Sequence, residues 1–291
     1  MIRLIFGCGH LGLPTARFWL GHGDTVYAVT RSRERSRELE SAGVRPIVGD
    51  VGQPGSLPAL PQADTVLWAV GFDRTGGSSL RSVYVDALAG VLDTLAPSTG
   101  RVVYISTTGV YGSGGDGWID EDSACQPERE TASASLEAEQ LLAAHPLGGR
   151  AVVLRMAGLY GPGRLPYLAD VREGRPLERS PEGYLNLIHV DDAAAVIAAA
   201  AHRAPVPRTY VVSDGSPVLR RDYYRELARL LKAPEPTFAA PQESPSESDK
   251  SNRRGSGSKR ANNARMMREL GVTLRYPTYR AGLAAIVSAK D

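Results

Sequence analysis

The stretch "IRLIFGCGHLG" at residues 2–12 runs from an apolar segment into three glycines at positions 7, 9 and 12. In this G-x-G-x-x-G pattern the glycines permit a tight turn and let the backbone approach a pyrophosphate closely. The match follows a predicted strand, opens a predicted helix and precedes a second predicted strand. That context favours a dinucleotide-binding turn over a purely structural one. The candidate cofactor-binding residues of this turn are Gly7, Gly9, His10, Leu11 and Gly12.

Apolar runs alternate with helical patterns through the first half of the chain. The runs are continuously apolar rather than strictly alternating, which is typical of strands covered on both faces. Strands joined by helices imply parallel pairing with right-handed crossovers, so we predict an α/β fold with a doubly wound parallel sheet. The predicted strands are 2–6, 25–30, 45–48, 65–70, 101–106 and 151–156, and the predicted helices are 10–21, 31–41, 78–95 and 133–145.

The alternation of apolar runs and helical patterns ends after Met156. The segment "AGLYGPGRLP" (157–166) is rich in glycine and proline, and we expect the chain to leave the sheet there. It returns through a strand–helix–strand unit formed by "LNLIHVDDAAAVIAAAAHR" and "TYVVS". Residues 241–263 are rich in Ser, Arg, Lys and Gly and hold almost no apolar residue. Such a segment cannot bury enough surface to offset its ordering entropy, so we predict a mobile loop there.

Composition limits the class of protein. With 291 residues, 42% of them hydrophobic and 23% charged, the chain suits one large α/β domain or two unequal ones. Its formal charge of +2 gives no support for a nucleic-acid or anionic-membrane binder. Cys8 and Cys125 match no metal or redox spacing, and the longest later apolar stretch, 193–201, is too short to span a bilayer. We therefore expect a cytoplasmic protein with a small-molecule partner, and neither a metal, a nucleic acid nor a membrane.

The second predicted strand ends in "TRSR" at residues 30–33. An NAD site usually places Asp or Glu about 20 residues after the glycine loop, where it binds the ribose 2′-hydroxyl. Here no acid precedes Glu34, and arginine at a helix start opposes the helix dipole. A 2′-phosphate would remove that objection, so NADP is favoured over NAD, with a solvated helix start as the alternative. Asp50, after the third strand, is either an adenine-binding or a turn residue. The candidate residues of this region are Thr30, Arg31, Arg33 and Asp50.

Four pieces of the chain, in this order, resemble the extended branch of the short-chain dehydrogenase/reductase superfamily, the sugar-nucleotide epimerases and dehydratases. They are the N-terminal glycine loop, "STTGVYG" (106–112), "LRMAGLYGPGR" (154–164) and "NLIHVDDAAAVI" (186–197). The resemblance implies a Rossmann domain and a smaller substrate domain, with the substrate in the cleft between them. On this plan the Rossmann domain comprises residues 1–156 and 187–213, and the substrate domain comprises residues 157–186 and 214–291.

The resemblance also implies roles for individual residues. Thr107 matches the family's catalytic Ser/Thr, which hydrogen-bonds the substrate oxygen. His189 and Asp192 match a segment for which a helix N-cap is the alternative to a substrate role. Extended relatives often dimerise through a four-helix contact, which here would include 78–95 and 133–145, so a homodimer is implied.

The departures from the family concern its acid/base pair. The family uses Tyr-x-x-x-Lys, but the matching helix carries Thr131 and Ser135, and no Tyr-x-x-x-Lys occurs in the chain. The lysine lowers the pKa of the tyrosine so that it exchanges a proton near neutrality, whereas a Thr/Ser pair titrates far outside that range. The glycine loop differs from the family pattern too. Extended members usually carry G-x-x-G-x-x-G, whereas in this chain the position before Gly7 is Phe6. The candidate replacements for the proton donor are Tyr111, Glu137, Glu139 and His189.

Two classes of function fit these features. The first is an NADP-dependent oxidoreductase or epimerase/dehydratase-like enzyme for a polar, sugar-like substrate, with Thr107 and Tyr111 as candidate catalytic residues. The second is a non-catalytic NADP-binding sensor or regulator, which the loss of both Tyr and Lys favours. The complete substrate-side motifs favour the enzyme, because a sensor needs no pocket in a second domain.

Overall fold

The computed structural model describes residues 1–73, 77–113, 117–239 and 258–289. The strands are β1 (Ile2–Phe6), β2 (Thr25–Thr30), β3 (Arg45–Val48), β4 (Thr65–Trp68), β5 (Arg101–Thr107), β6 (Trp118–Ile119), β7 (Ala151–Met156), β8 (Gly158–Tyr160), β9 (Tyr184–Leu185), β10 (Leu187–His189), β11 (Arg208–Val212), β12 (Val218–Leu219) and β13 (Arg260–Ala261). The helices are α1 (Gly12–Gly21), α2 (Arg33–Ser41), α3 (Ala87–Thr94), α4 (Glu130–Ala144), α5 (Leu168–Arg172), α6 (Val190–Arg203), α7 (Arg220–Leu231), α8 (Ala264–Leu270) and α9 (Tyr279–Ser288). A π-helical turn, Ser82–Asp86, leads directly into α3. Within the described ranges, none of these helices combines the length and apolar character of a membrane span.

A seven-stranded parallel sheet forms the centre of the fold, in the order β3-β2-β1-β4-β5-β7-β11. The predicted doubly wound parallel sheet is confirmed. The six apolar runs of the first half supply six of its strands, and the returning "TYVVS" segment supplies β11. The strand order reverses between β1 and β4, and open α/β sheets bind ligands beyond the carboxyl ends of their strands at such a point.

Helices cover both faces of this sheet, which accounts for the continuously apolar strands. On one face α1 and α6 pack against the sheet, in a core that includes Ile5, Trp19, Val103, Ile197 and Tyr210. On the other face the core includes Phe6, Trp68, Leu88, Tyr104 and Leu142, with α3 and α4 outside it. Burial of these side chains fixes the carboxyl ends of the strands, where the candidate site residues lie.

A separate hydrophobic core lies outside the sheet, and it includes Tyr160, Val171, Leu177, Tyr223, Leu227 and Leu283. Most of its side chains come from the segments predicted to form the substrate domain. Strand β10 pairs with β8 rather than with the large sheet. Helix α8, which the division assigns to the substrate domain, packs on the sheet side because Met266 and Leu270 join the core that contains Ala200 and Tyr210.

The predicted mobile loop at 241–263 lies, for residues 241–257, outside the described residues. Its last six residues are described, and two of them form strand β13. Strand β13 runs parallel to β6, and the Arg260 guanidinium lies 5.4 Å from the ring centre of Trp118 and 5.3 Å from that of Tyr184. Aromatic rings from two other segments thus contact Arg260, and the predicted mobility of the loop stays a prediction.

Candidate functional site

A cleft of about 1510 Å³ opens beyond the carboxyl ends of β1, β2, β4 and β5, where the strand order reverses. It brings together most of the candidate residues identified in the sequence. Those that line it are Gly7, Gly9, His10, Leu11, Thr30, Arg31, Asp50 and Thr107. Within the described part of the chain, Gly12, Arg33 and Tyr111 lie outside the lining.

Each of the three loop positions is occupied by glycine for a different structural reason. Gly7 has a φ of +91°, and a Cβ on it would lie 2.3 Å from the carbonyl oxygen of Ala69. A Cβ on Gly12 would lie 2.4 Å from the carbonyl oxygen of Gly7, so this glycine allows α1 to pack against the turn. Gly9 differs, because a Cβ there would have no described protein atom within 4 Å. The loop therefore has the geometry of a dinucleotide turn: one glycine for the bend, one for helix packing and one facing open space.

Helix α1 begins immediately beyond this loop. The residue at its N-cap position, Leu11, makes no side-chain capping hydrogen bond with any described residue. The first N–H groups of a helix lack partners within the helix and attract anions. The open space at Gly9 and the uncapped start of α1 together fit a pyrophosphate.

The end of β2 forms the far wall of the cleft. The exposed Arg31 lines it and lies 3.6 Å from a carboxylate oxygen of Asp73. Arg33 is the first residue of α2 and is exposed outside the lining, so the structure does not bring it to this wall. Asp50 lines the cleft while its Oδ1 accepts the backbone N–H of Gly52 at 2.9 Å.

Sequence reasoning missed Arg35, a residue of α2 that contacts the glycine loop. Its Nη2 donates to the carbonyl oxygen of Cys8 at 2.9 Å. The guanidinium therefore supports the glycine loop from the side of α2. The arginine-rich start of this helix was the available signal in the sequence.

His10 lies between the loop and the substrate domain. Its Cε1 would be 3.8 Å from a Cβ on Gly161, and its buried Nε2 has no hydrogen-bond partner among the described residues. Burial, then the charges of Arg164 and His189, lower the pKa of His10. The lowered pKa favours the neutral imidazole.

Three residues with hydroxyl side chains, Thr107, Thr131 and Ser135, line the cleft that the glycine loop also lines. Thr107 ends β5, and its Oγ1 accepts the backbone N–H of Gly109 at 3.0 Å. Thr131 and Ser135 line the same cleft from α4, and the Ser135 hydroxyl donates to the carbonyl oxygen of Thr131 at 2.9 Å. The residues at the family's Tyr and Lys positions thus face the cleft without a group that titrates near neutrality.

Tyr111 lies in a small hydrophobic cluster that also contains Ile119 and Val211. The side chain is buried, and its hydroxyl accepts a 2.8 Å hydrogen bond from Nη1 of Arg155. Burial raises the pKa of Tyr111 to about 12. Tyr111 does not line the cleft, so a catalytic role for it stays a prediction that the geometry does not favour.

The other candidate proton donors also have structural partners. Glu139 is buried and forms an ion pair with Arg155 at 2.7 Å, while the Ser106 hydroxyl donates to Glu139. Glu137 pairs with Arg81 at the surface at 2.8 Å. Buried His189 caps α6, its Nδ1 accepting the N–H of Asp191 at 3.2 Å. These contacts place none of the three against a ligand in the cleft.

Lys259 is a second residue that sequence reasoning did not place. Its Nζ donates to the carbonyl oxygen of Thr108 at 2.9 Å and to that of Gly112. Burial, and then the charge of Arg129, lower its pKa to about 8. The contact joins residues 151 positions apart, so no local pattern predicts it.

The sheet topology, the glycine loop and the hydroxyl side chains at the end of β5 together define a Rossmann protein of the short-chain dehydrogenase/reductase type. The chain belongs to the NAD dependent epimerase/dehydratase family, whose model matches residues 4–213. This confirms the resemblance to the extended branch, in an atypical form without the Tyr-x-x-x-Lys pair.

Several known proteins are similar along nearly the whole chain. "Protein YeeZ" of Escherichia coli (strain K12) is 28% identical over 280 residues, which are 94% of this chain and 95% of that protein. A functionally unknown conserved protein from Silicibacter pomeroyi DSS is 29% identical, with a TM-score of 0.81 over 99% of this chain and 98% of that one. The structure of MoeE5 in complex with UDP-glucose and NAD is 23% identical, with a TM-score of 0.78 over 100% and 98%, and shares the fold.

Proposed function

We propose that this chain is an NADP-dependent oxidoreductase or epimerase/dehydratase-like enzyme. One observation carries the proposal: a single cleft is lined by the glycine loop, by Arg31 at the end of β2 and by Thr107 at the end of β5. The loop would hold the pyrophosphate and Arg31 the ribose phosphate. When bound, the nicotinamide would supply hydride transfer beside Thr107.

The preference for NADP rests on charge. No acidic residue follows β2 before Glu34, and Arg31 is exposed toward the cleft. Its contact with Asp73 is a surface ion pair with both side chains at least half exposed, and such pairs contribute about 0–1 kcal/mol. A hydrogen bond from arginine to phosphate is stronger, so a 2′-phosphate would compete for Arg31.

The substrate class follows from the family and from the hydroxyls in the cleft. We propose a polar, sugar-like small molecule whose oxygen is hydrogen-bonded by Thr107, as MoeE5 is named in complex with a sugar nucleotide. Thr131 and Ser135 would contribute hydrogen bonds but not proton transfer. The acid/base residues are therefore non-standard for this family.

The outer surface of the Ser82–Asp86 turn, α3 and α4 carries a second groove. We propose a homodimer through the face shared by the Ser82–Asp86 turn, α3 and α4, where a groove of about 500 Å³ is lined by Val85, Ala89 and Leu141. We also propose that the protein acts in the cytoplasm, on the basis of its cysteine usage.

The second candidate is a non-catalytic NADP-binding sensor. The observation that favours it is the pair Thr131 and Ser135, which stands in the cleft where the family has its Tyr and Lys. In this case the cleft would bind the nucleotide without turning over a substrate.

A turnover screen separates the two functions. The purified protein would be incubated with NADP⁺ or NADPH and a panel of sugar nucleotides, sugar phosphates and small polyols, while absorbance of the reduced nicotinamide and product masses are followed. Turnover of any member that Thr107→Ala abolishes supports the enzyme. Tight NADPH binding without turnover across the panel favours the sensor.

A further inference from the structure

The turn at 161–164 brings an arginine to the cleft that the proposed function leaves unused. The N–H of Arg164 donates to the carbonyl oxygen of Gly161 at 3.0 Å, and the reverse hydrogen bond is 3.4 Å long. This closed turn follows β8 directly. Arg164 thereby lines the same cleft as the glycine loop, although it belongs to the predicted substrate domain.

Arg164 differs from the other charged side chains of the cleft. Each of the others has a protein partner: Arg31 contacts Asp73, Asp86 pairs with Arg81, and Asp50 accepts the N–H of Gly52. Within the described ranges, the Arg164 guanidinium has neither a hydrogen bond nor an ion pair. A guanidinium that lines a cleft without a carboxylate partner is available to an anionic ligand.

The turn that carries Arg164 lies against the glycine loop. The imidazole of His10 comes within 3.8 Å of the position that a Cβ on Gly161 would occupy. The charge of Arg164 is close enough to oppose protonation of His10. Next to His10 in the loop is Gly9, which faces open space.

We propose that Arg164 binds a non-bridging oxygen of the dinucleotide pyrophosphate, closing the phosphate site from the side of the substrate domain. The inference rests on the proposed function, because it requires a dinucleotide at the glycine loop. That loop offers backbone N–H groups, and the guanidinium already bound to it, that of Arg35, donates to the carbonyl oxygen of Cys8 and does not line the cleft. The planar guanidinium of Arg164 lines the cleft and supplies a positive charge there with a geometry that suits phosphate oxygens.

The test is calorimetric titration of four proteins with three ligands. The proteins are the unmodified chain and its Arg164→Ala, Arg31→Ala and Arg172→Ala variants. Arg172→Ala is the control for net charge, since Arg172 is an exposed arginine of α5 that does not line the cleft. The ligands are NADPH and NADH, which carry the pyrophosphate, and 2′-AMP, which lacks it. Thermal melting verifies that each variant is folded.

We expect Arg164→Ala to weaken NADPH and NADH equally, by about tenfold, and to leave 2′-AMP unchanged. Arg31→Ala should show the complementary pattern, weakening NADPH and 2′-AMP but not NADH. Arg172→Ala should bind all three ligands as the unmodified protein does.

Failure of this inference is distinguishable from failure of the proposed function. Unchanged NADPH and NADH affinities in folded Arg164→Ala would overturn the role of Arg164 while leaving the dinucleotide site intact. Equal weakening of 2′-AMP would also overturn it, because the arginine would then act without the pyrophosphate. An unmodified protein that binds neither dinucleotide would overturn the proposed function itself.

Discussion

Replacing Gly9 by alanine separates ligand binding from folding. A Cβ at Gly9 has no described protein atom within 4 Å, and Gly9 has no positive φ. We therefore expect the free energy of unfolding of Gly9→Ala to stay within about 0.5 kcal/mol of the unmodified value, as for surface substitutions. The added methyl would instead occupy the space through which a pyrophosphate approaches the backbone.

The size of the effect on binding follows from the contact that is lost. A hydrogen bond from a backbone N–H to a charged phosphate contributes about 1.5–3 kcal/mol, so losing one weakens dinucleotide binding roughly ten- to a hundredfold. Calorimetric titration with NADPH measures this loss, and urea denaturation measures stability in the same preparation.

Two glycines serve as controls. Gly7→Ala would place its Cβ 2.3 Å from the Ala69 carbonyl at a φ of +91°, so we expect it to destabilise the fold by at least 1–3 kcal/mol. Gly21→Ala, at the end of α1 with nothing within 4 Å, should change neither binding nor folding adversely. Gly9→Ala with unchanged NADPH affinity would refute the assignment of this loop as the pyrophosphate site.

Three further outcomes follow from the site. Once a substrate is found, Thr107→Ala should raise the activation barrier by about 2–4 kcal/mol, which lowers steady-state turnover some 30- to 1,000-fold. The double change of Thr131 and Ser135 to Ala should lower turnover much less. A larger loss in the double variant than in Thr107→Ala would place the chemistry on α4. Glu139→Gln should destabilise the fold by about 3–5 kcal/mol in urea denaturation, because it leaves the buried Arg155 without its counter-charge. A loss under 1 kcal/mol would contradict this. Burial raises the pKa of Asp214 to about 7, so between about pH 4 and pH 7 only the unfolded chain loses this proton and stability falls as pH rises. Asp214→Asn should therefore raise the melting temperature more at pH 8 than at pH 5, and equal gains would count against the raised pKa.

The sheet was predictable because its determinants are local. Each strand of the first half is a short apolar run, and Gly12 allows close packing on Gly7, five residues before it. Parallel pairing and the position of the cleft then follow from topology. The same reasoning placed Thr107 at the end of β5, where the structure has it.

Long-range contacts explain what the sequence did not reveal. Lys259 reaches the turn after Thr107 from 151 residues away, and Arg260 is held by rings of two other segments. Tyr111 sits beside the hydroxyl cluster in the sequence, yet its side chain turns into the core to meet Arg155. Neither composition nor periodicity specifies which side of a turn faces the cleft.

The most direct test of the dinucleotide site is calorimetric titration of the unmodified protein with NADPH and with NADH, repeated on Arg31→Ala. We expect NADPH to bind about tenfold or more tightly than NADH, because a charge-assisted contact from Arg31 to the 2′-phosphate is worth about 1.5–3 kcal/mol, and we expect the difference to shrink in the variant. Equal affinity for the two nucleotides in the unmodified protein, or binding of neither, would contradict the assignment.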